Sequence, residues 1–205
     1  MIRLQPKLFV ALILAFSVPS HAEWSGNVGW ASDYHFRGIF QSDSSASLGV
    51  DYENAGWYVG TWAADVDDGA EVDLYFGFGG EYGEFSYGIG FTGYYYTGDF
   101  DDTYQEINLS AGYGAVTLDV AIGEYDNFDG PTQDYTFFSL TAEHNDFYAT
   151  LGSFSQDADG EYLELGYGTE VSGFDLGVAI IFANDDLIGD ADESIVFSLG
   201  KSFSF

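Results

Sequence analysis

The chain has 205 residues, among them 19 Phe, 16 Tyr, 4 Trp and 27 Gly, with no cysteine and a formal charge of −30. The missing cysteine excludes a disulfide framework, a thiolate metal site and a cysteine nucleophile. The charge excludes nucleic acid as a partner, because it repels phosphate, and the aromatic content excludes a disordered acidic tail.

The first 22 residues carry the features of a secretory signal peptide. Arg3 and Lys7 supply a positive start, Leu8 to Val18 an apolar run, and Ser20-His21-Ala22 a small-x-small cleavage site. That run is too short to span a bilayer, which takes about 20 residues. Residues 23–205 are then the expected mature domain, with Arg37 and Lys201 as the only basic residues against 34 acids. From Trp24 onward the pattern is period-two alternation, the signature of strands. Twelve are expected, at 24–38, 45–53, 57–66, 71–82, 85–97, 104–113, 115–125, 134–144, 147–156, 161–171, 173–183 and 194–205. Five connections are tight turns: Asn54-Ala55-Gly56, Gly83-Glu84, Gly114, Asn145-Asp146 and Ser172-Gly173. Between these fall six longer, mostly acidic loops, at 39–44, 67–70, 98–103, 126–133, 157–160 and 184–193.

Short turns alternating with longer loops over an even number of strands predict an all-β fold, an up-and-down antiparallel transmembrane β-barrel. A cylinder of twelve strands is about 24 Å across, from ~4.8 Å spacing and ~40° tilt. The expected arrangement puts small and charged residues inside and large apolar ones against lipid, so that no sheet edge is left unpaired. In the first strand Trp24, Val28, Trp30, Tyr34 and Phe36 share the apolar parity; in the last, Ile195, Phe197, Leu199, Phe203 and Phe205 do. Strands 57–66, 134–144 and 147–156 mix large residues on both parities, and Lys201 falls on the lipid parity. Trp57, Tyr82, Phe85, Tyr113, Phe147, Phe174, Phe203 and Phe205 flank the tight turns or the chain's last strand, as an aromatic girdle at one membrane interface would. The expected location is the outer membrane of a Gram-negative bacterium. Expected partners are its lipid and lipopolysaccharide, and the barrel assembly machinery through the C-terminal strand ending in Phe205.

The N-terminal third carries Gly26-Asn27-Val28, then Ala31-Ser32-Asp33-Tyr34-His35-Phe36-Arg37-Gly38-Ile39-Phe40-Gln41-Ser42, Asp51-Tyr52 and Gly56-Trp57-Tyr58-Val59-Gly60. It resembles the TorF-like porin family, also called the Gcw_chp outer-membrane family. Glu71 to Gly77 and Gly90 to Tyr96 fit more loosely. The resemblance covers Glu23 to about Gly98 and implies an outer-membrane barrel with a pore. The family often has proline after the first loop, where this chain has Ser44-Ser45-Ala46.

Asp33, Asp51, Asp73, Glu106, Asp119, Glu164 and Asp175 lie on the small-residue parity and are expected to line the bore with Arg37. Charges lining a low-dielectric bore select ions by sign, which points to passive diffusion of small polar or cationic solutes. Arg37 is expected either to lock strand 1 through an ion pair or to form half of a charged constriction. An alternative is a non-conducting structural or interaction barrel, closed by aromatics such as Tyr75, Tyr94 and Tyr96, with acidic loops that bind divalent cations. Asp157-x-Asp159-Gly160 is a fragment of a calcium loop without the remaining ligand spacing. A hydrolase fits less well: the mature chain has only His35 and His144, and nothing fixes either beside a nucleophile. No cofactor is expected.

Overall fold

The computed structural model describes residues 22–189 and 191–205. Nearly all of the proposed signal peptide (residues 1–21), and Asp190 of the last loop, lie outside the described residues. The alternating sequence forms twelve strands: β1 (Glu23–Phe36), β2 (Ile39–Asn54), β3 (Trp57–Val66), β4 (Gly69–Tyr82), β5 (Phe85–Thr97), β6 (Tyr104–Tyr113), β7 (Val116–Tyr125), β8 (Gln133–His144), β9 (Phe147–Gln156), β10 (Gly160–Val171), β11 (Phe174–Ala183) and β12 (Asp192–Ser204). One helical turn, α1 (Asp185–Ile188), is capped by the Asn184 side chain and lies in the last loop. Each strand pairs antiparallel with its neighbours, and β12 pairs with β1 to close the barrel.

Closure pairs the strand edges around most of the wall, which an apolar surround demands. The outer face supplies that surround's counterpart. Leu48, Val59, Leu74, Phe76, Ile89, Ile107, Leu151, Ile195 and Phe197 all stand outward and exposed, a belt far larger than the apolar patches of soluble monomers. All eight girdle aromatics are exposed too, from Phe203 at 42% to Tyr82 at 85%. No helix among the described residues is long and apolar enough to cross a membrane. Lys201 lies among the girdle residues, its ammonium 4.7 Å from the centre of the Phe174 ring, where a cation–π contact offsets its place on the apolar face.

The structure revises the expected connections at two places. The loops expected at 39–44 and 67–70 are two-residue turns instead, at 37–38 and 67–68. Arg37 and Gly38 both take positive φ (52° and 82°), the backbone of a type I′ hairpin turn. Arginine is a rare first residue for that turn, so the sequence signal is masked.

The second revision concerns where this first hairpin goes. Register with β12 stops at Ala31↔Ser198, and register of β2 with β3 stops at Ser47↔Ala64. Beyond those points β1 and β2 pair only with each other, with a slip between Tyr34 and His35 that leaves Gln41 unpaired. The hairpin leaves the wall and leans into the bore. Side chains replace the lost ladder: Ser42 and Ser45 hydroxyls donate to the Asp65 carbonyl at 3.0 and 2.7 Å, and Phe197 N–H donates to the Ser32 hydroxyl at 2.9 Å. Tyr34 and Phe36, expected on the lipid face, are therefore inside. A ribbon enclosed by the barrel has both faces in the lumen, so strand parity no longer separates lipid from bore.

Candidate functional site

Inward-facing residues do not divide into small and charged alone. Tyr58, Tyr75, Tyr94, Tyr135, Tyr148, Tyr162, Phe137 and Phe154 all project inward and are buried. Glycine on the facing strand makes room for five of them. Tyr58 lies opposite Gly77, Tyr75 opposite Gly60, Tyr135 opposite Gly123, Tyr148 opposite Gly166 and Tyr162 opposite Gly152. A Cβ at each of these glycines would sit 1.9–2.5 Å from the partner's ring or hydroxyl. The rings lie flat against the wall over a missing side chain, the reverse of the expected division of faces. The mixed parities of β3, β8 and β9 resolve in the same way: Tyr58 and Trp62, Tyr135 and Phe137, and Tyr148 and Phe154 point in.

Carboxylates turned inward need hydrogen-bond donors or counter-charges, and the chain has almost no cations to supply them. Tyrosine hydroxyls take that part. Glu71 accepts from Tyr34 at 2.6 Å and Tyr96 at 2.7 Å; Glu106 accepts from Tyr94 at 2.7 Å and Tyr135 at 2.8 Å. Asp51 accepts from Tyr75, Glu164 from Tyr148, and Asp101 from both Tyr104 and Tyr125. Eight phenols thus serve five carboxylates. A hydrogen bond to a charged acceptor contributes about 1.5–3 kcal/mol, so this array is a principal source of order in the bore.

The hairpin tip completes it. Arg37 reaches β6, five strands along from β1, and its two terminal nitrogens bond both Glu106 oxygens at 2.9 and 2.7 Å. Asn108 adds a fifth donor to that carboxylate at 2.6 Å. The Glu106 side chain has no exposed surface. The guanidinium also lies over the rings of Phe36 and Phe137, 4.7 and 4.3 Å from their centres. Gly38 approaches Tyr162 so closely that a Cβ there would be 2.7 Å from the tyrosine's own, and Ile39 packs on the cluster formed by Tyr135, Phe137, Phe154 and Tyr162. The tip therefore spans the bore and is held on its far side.

Against the tip, towards the rim opposite the termini, lies a cavity of about 190 Å³ lined by Phe36, Arg37, Tyr96, Tyr104, Tyr125, Tyr135 and Asp101, among others. A second, of about 30 Å³, lies against the hairpin stem between Asp33, His35, Tyr148, Glu164 and Val196.

All eight residues expected to line the bore face inward. The structure gathers Arg37 and Glu106 into contact and buries Asp73 close by, with one carboxylate oxygen unpartnered. Asp33 and Glu164 flank the smaller cavity, while Asp51, Asp119 and Asp175 are half-buried on separate strands. Glu71, Tyr34 and Tyr135 belong to the network and escape the sequence reading. Their signal is the alternation Glu71-x-Asp73-x-Tyr75 and Tyr104-x-Glu106, acid and phenol on one parity. Asp157 and Asp159 accept backbone N–H bonds from Asp134 and Gly160. Among the described residues, no three His, Cys, Asp or Glu side chains are placed to hold a metal ion. His35 is buried within the hairpin, opposite Phe40, and His144 is exposed near a turn.

The profile of a family described as "Bacterial protein of unknown function (Gcw_chp)" matches residues 17–195. No curated protein matches the sequence. Among solved structures, the fold is similar to a chain described under "Unveiling the Mechanism Behind the in-meso Crystallization of Membrane Proteins", with TM-score 0.60 and 12% identity over 89% of this chain and 84% of that one. It is also similar to the KdgM porin, with TM-score 0.57 and 9% identity over 88% of this chain and 99% of that one. At these identities the likeness is one of fold.

Proposed function

The chain belongs to the Gcw_chp family, and from that premise we propose that it is an outer-membrane porin of a Gram-negative bacterium. It passes small polar or cationic solutes by passive diffusion, at a rate set by the infolded β1–β2 hairpin. One observation carries the reading: Arg37 at the hairpin tip is pinned to Glu106 inside a bore whose other charged wall residues are all acids. A pore of this kind favours cations, because the low-dielectric wall focuses the field of Asp33, Asp51, Asp73, Asp119, Glu164 and Asp175. The likeness to the KdgM porin fold supports a channel over a catalyst. Phe205 follows the closing strand, where the assembly machinery is expected to engage it, and the acidic loops face lipopolysaccharide.

The tyrosine–carboxylate network that fills the bore favours a second reading, a barrel that does not conduct. Single-channel recording of the refolded protein in planar bilayers separates the two. Under a salt gradient the reversal potential is expected to have cation-selective sign. The preference should weaken as the Debye length falls from about 10 Å at 0.1 M to about 3 Å at 1 M salt. Anion selectivity at low salt would overturn the proposed lumenal field. Absence of any conductance, in wild type and in Arg37→Ala alike, would establish the closed barrel.

A further inference from the structure

The cavity above the hairpin tip has an unusual lining. Five tyrosines bound it (Tyr94, Tyr96, Tyr104, Tyr125 and Tyr135) with Phe36 and Phe154. Every one of the five hydroxyls is spent on a carboxylate: Tyr94 and Tyr135 on Glu106, Tyr96 on Glu71, Tyr104 and Tyr125 on Asp101. What these residues have left to offer is ring surface. A phenol that donates to an anion shifts electron density into its ring, which deepens the negative potential on the ring face. The rings are also close-set. Tyr104 stacks on Tyr125 with centroids 4.3 Å apart and meets Tyr96 and Tyr135 edge-on at 6.3 and 6.1 Å.

Donors are scarce here. Arg37 directs both terminal nitrogens to Glu106, and the Gln41 amide donates to the Ile39 carbonyl at 3.1 Å, so that the exposed Gln133 is the remaining side-chain amide on the lining. The guanidinium charge is offset by its bidentate partner, whereas Asp101 and Asp134 on the lining have no cation within salt-bridge distance among the described residues. An anion or a sugar finds few groups to bond. A compact cation without hydrogen-bonding needs finds several electron-rich faces and net negative charge.

We propose that this cavity is a binding site for a small organic ammonium ion, held by cation–π contact with the tyrosine cluster around Tyr104. The volume of about 190 Å³ suits a quaternary ammonium group rather than an extended chain. The inference deepens the porin reading by naming a solute class. Its transport consequence rests on that reading, but binding is measured on its own.

The test is isothermal titration calorimetry of the full refolded barrel in detergent with tetramethylammonium chloride, against sodium chloride of equal ionic strength and against glucose. Saturable binding of tetramethylammonium alone is expected. Tyr104→Leu should weaken it about tenfold, the equivalent of about 1.4 kcal/mol, while Tyr104→Phe, which keeps the ring, should retain most of it. Asp101→Asn should weaken it by a smaller factor. Each variant is checked for heat-modifiable migration, so that loss of binding is read only on a folded barrel. Binding of glucose instead, no binding beyond sodium chloride, or binding indifferent to both Tyr104→Leu and Asp101→Asn would overturn the proposal. A barrel that conducts potassium but does not bind tetramethylammonium refutes this site and leaves the pore. One that binds but never conducts refutes the pore and leaves the site.

Discussion

Arg37→Ala and Glu106→Gln, alone and together, form the most informative set of variants. Glu106 is fully buried and takes five hydrogen bonds, two from Arg37 and one each from Tyr94, Tyr135 and Asn108. Removing the carboxylate's charge leaves a guanidinium, itself only 13% exposed, without its counter-ion. Breaking one side of a buried pair costs about 3–5 kcal/mol. Arg37→Ala is gentler, because the carboxylate keeps three donors; two charge-assisted bonds are lost, and the cost should fall near the lower end, about 3 kcal/mol. Much of either cost is charged to the docked hairpin rather than the wall, because residues 32–46 pair with neither β12 nor β3. At about 1.4 kcal/mol per tenfold, a loss of about 3 kcal/mol shifts the balance of docked and undocked hairpin by roughly a hundredfold. Urea unfolding of the barrel in lipid vesicles measures stability, and single-channel conductance measures the hairpin. Each single variant should raise conductance, and Arg37→Ala should raise cation preference as well. The double variant should cost less than the sum of the singles by about 1–3 kcal/mol. Strictly additive costs with unchanged conductance in all three proteins would refute the pinned hairpin.

Two further outcomes follow from the wall. Gly166→Ala places a Cβ 1.9 Å from the Tyr148 ring, so the heat-modification midpoint should drop by the equivalent of about 1–3 kcal/mol and recover when Tyr148 is replaced by Ser; a wild-type midpoint in Gly166→Ala would contradict the flat-ring packing. Unheated and boiled samples should also migrate differently on a detergent gel, since pairing of β12 with β1 closes the wall, and identical migration would contradict the membrane barrel.

The wall was legible in the sequence almost to the residue. Strands 57–66, 85–97, 104–113 and 147–156 match β3, β5, β6 and β9 end to end, because strict alternation bounded by Gly or Asn turns is a local signal. The inward placement of Asp73 and Glu106 follows from the same parity. The bore itself was less legible. Size told Tyr58 and Tyr148 nothing about direction; their glycine partners, Gly77 and Gly166, lie on other strands, and only register reveals the pairing. Tyr34 and Phe36 obey their strand's alternation yet end up inside, since a hairpin's departure from the wall depends on distant partners such as Glu106 and Tyr162. Glu71 shares its parity with Asp73, but what makes it part of the network is the pair of hydroxyls from Tyr34 and Tyr96, which no local pattern announces.

The pinned hairpin also orders events in time. β1 and β2 are adjacent in sequence and can zip together early, but Arg37 waits for a partner 69 positions further on, and Gly38 for Tyr162 on β10. Contacts of such long separation form late. Until β6 and β10 are in place, the chain's first hairpin has no dock, and its buried tyrosine and arginine stand in the open. A nascent barrel therefore lacks this crosspiece, and the narrowing of the bore by the hairpin is a property only the nearly complete cylinder acquires.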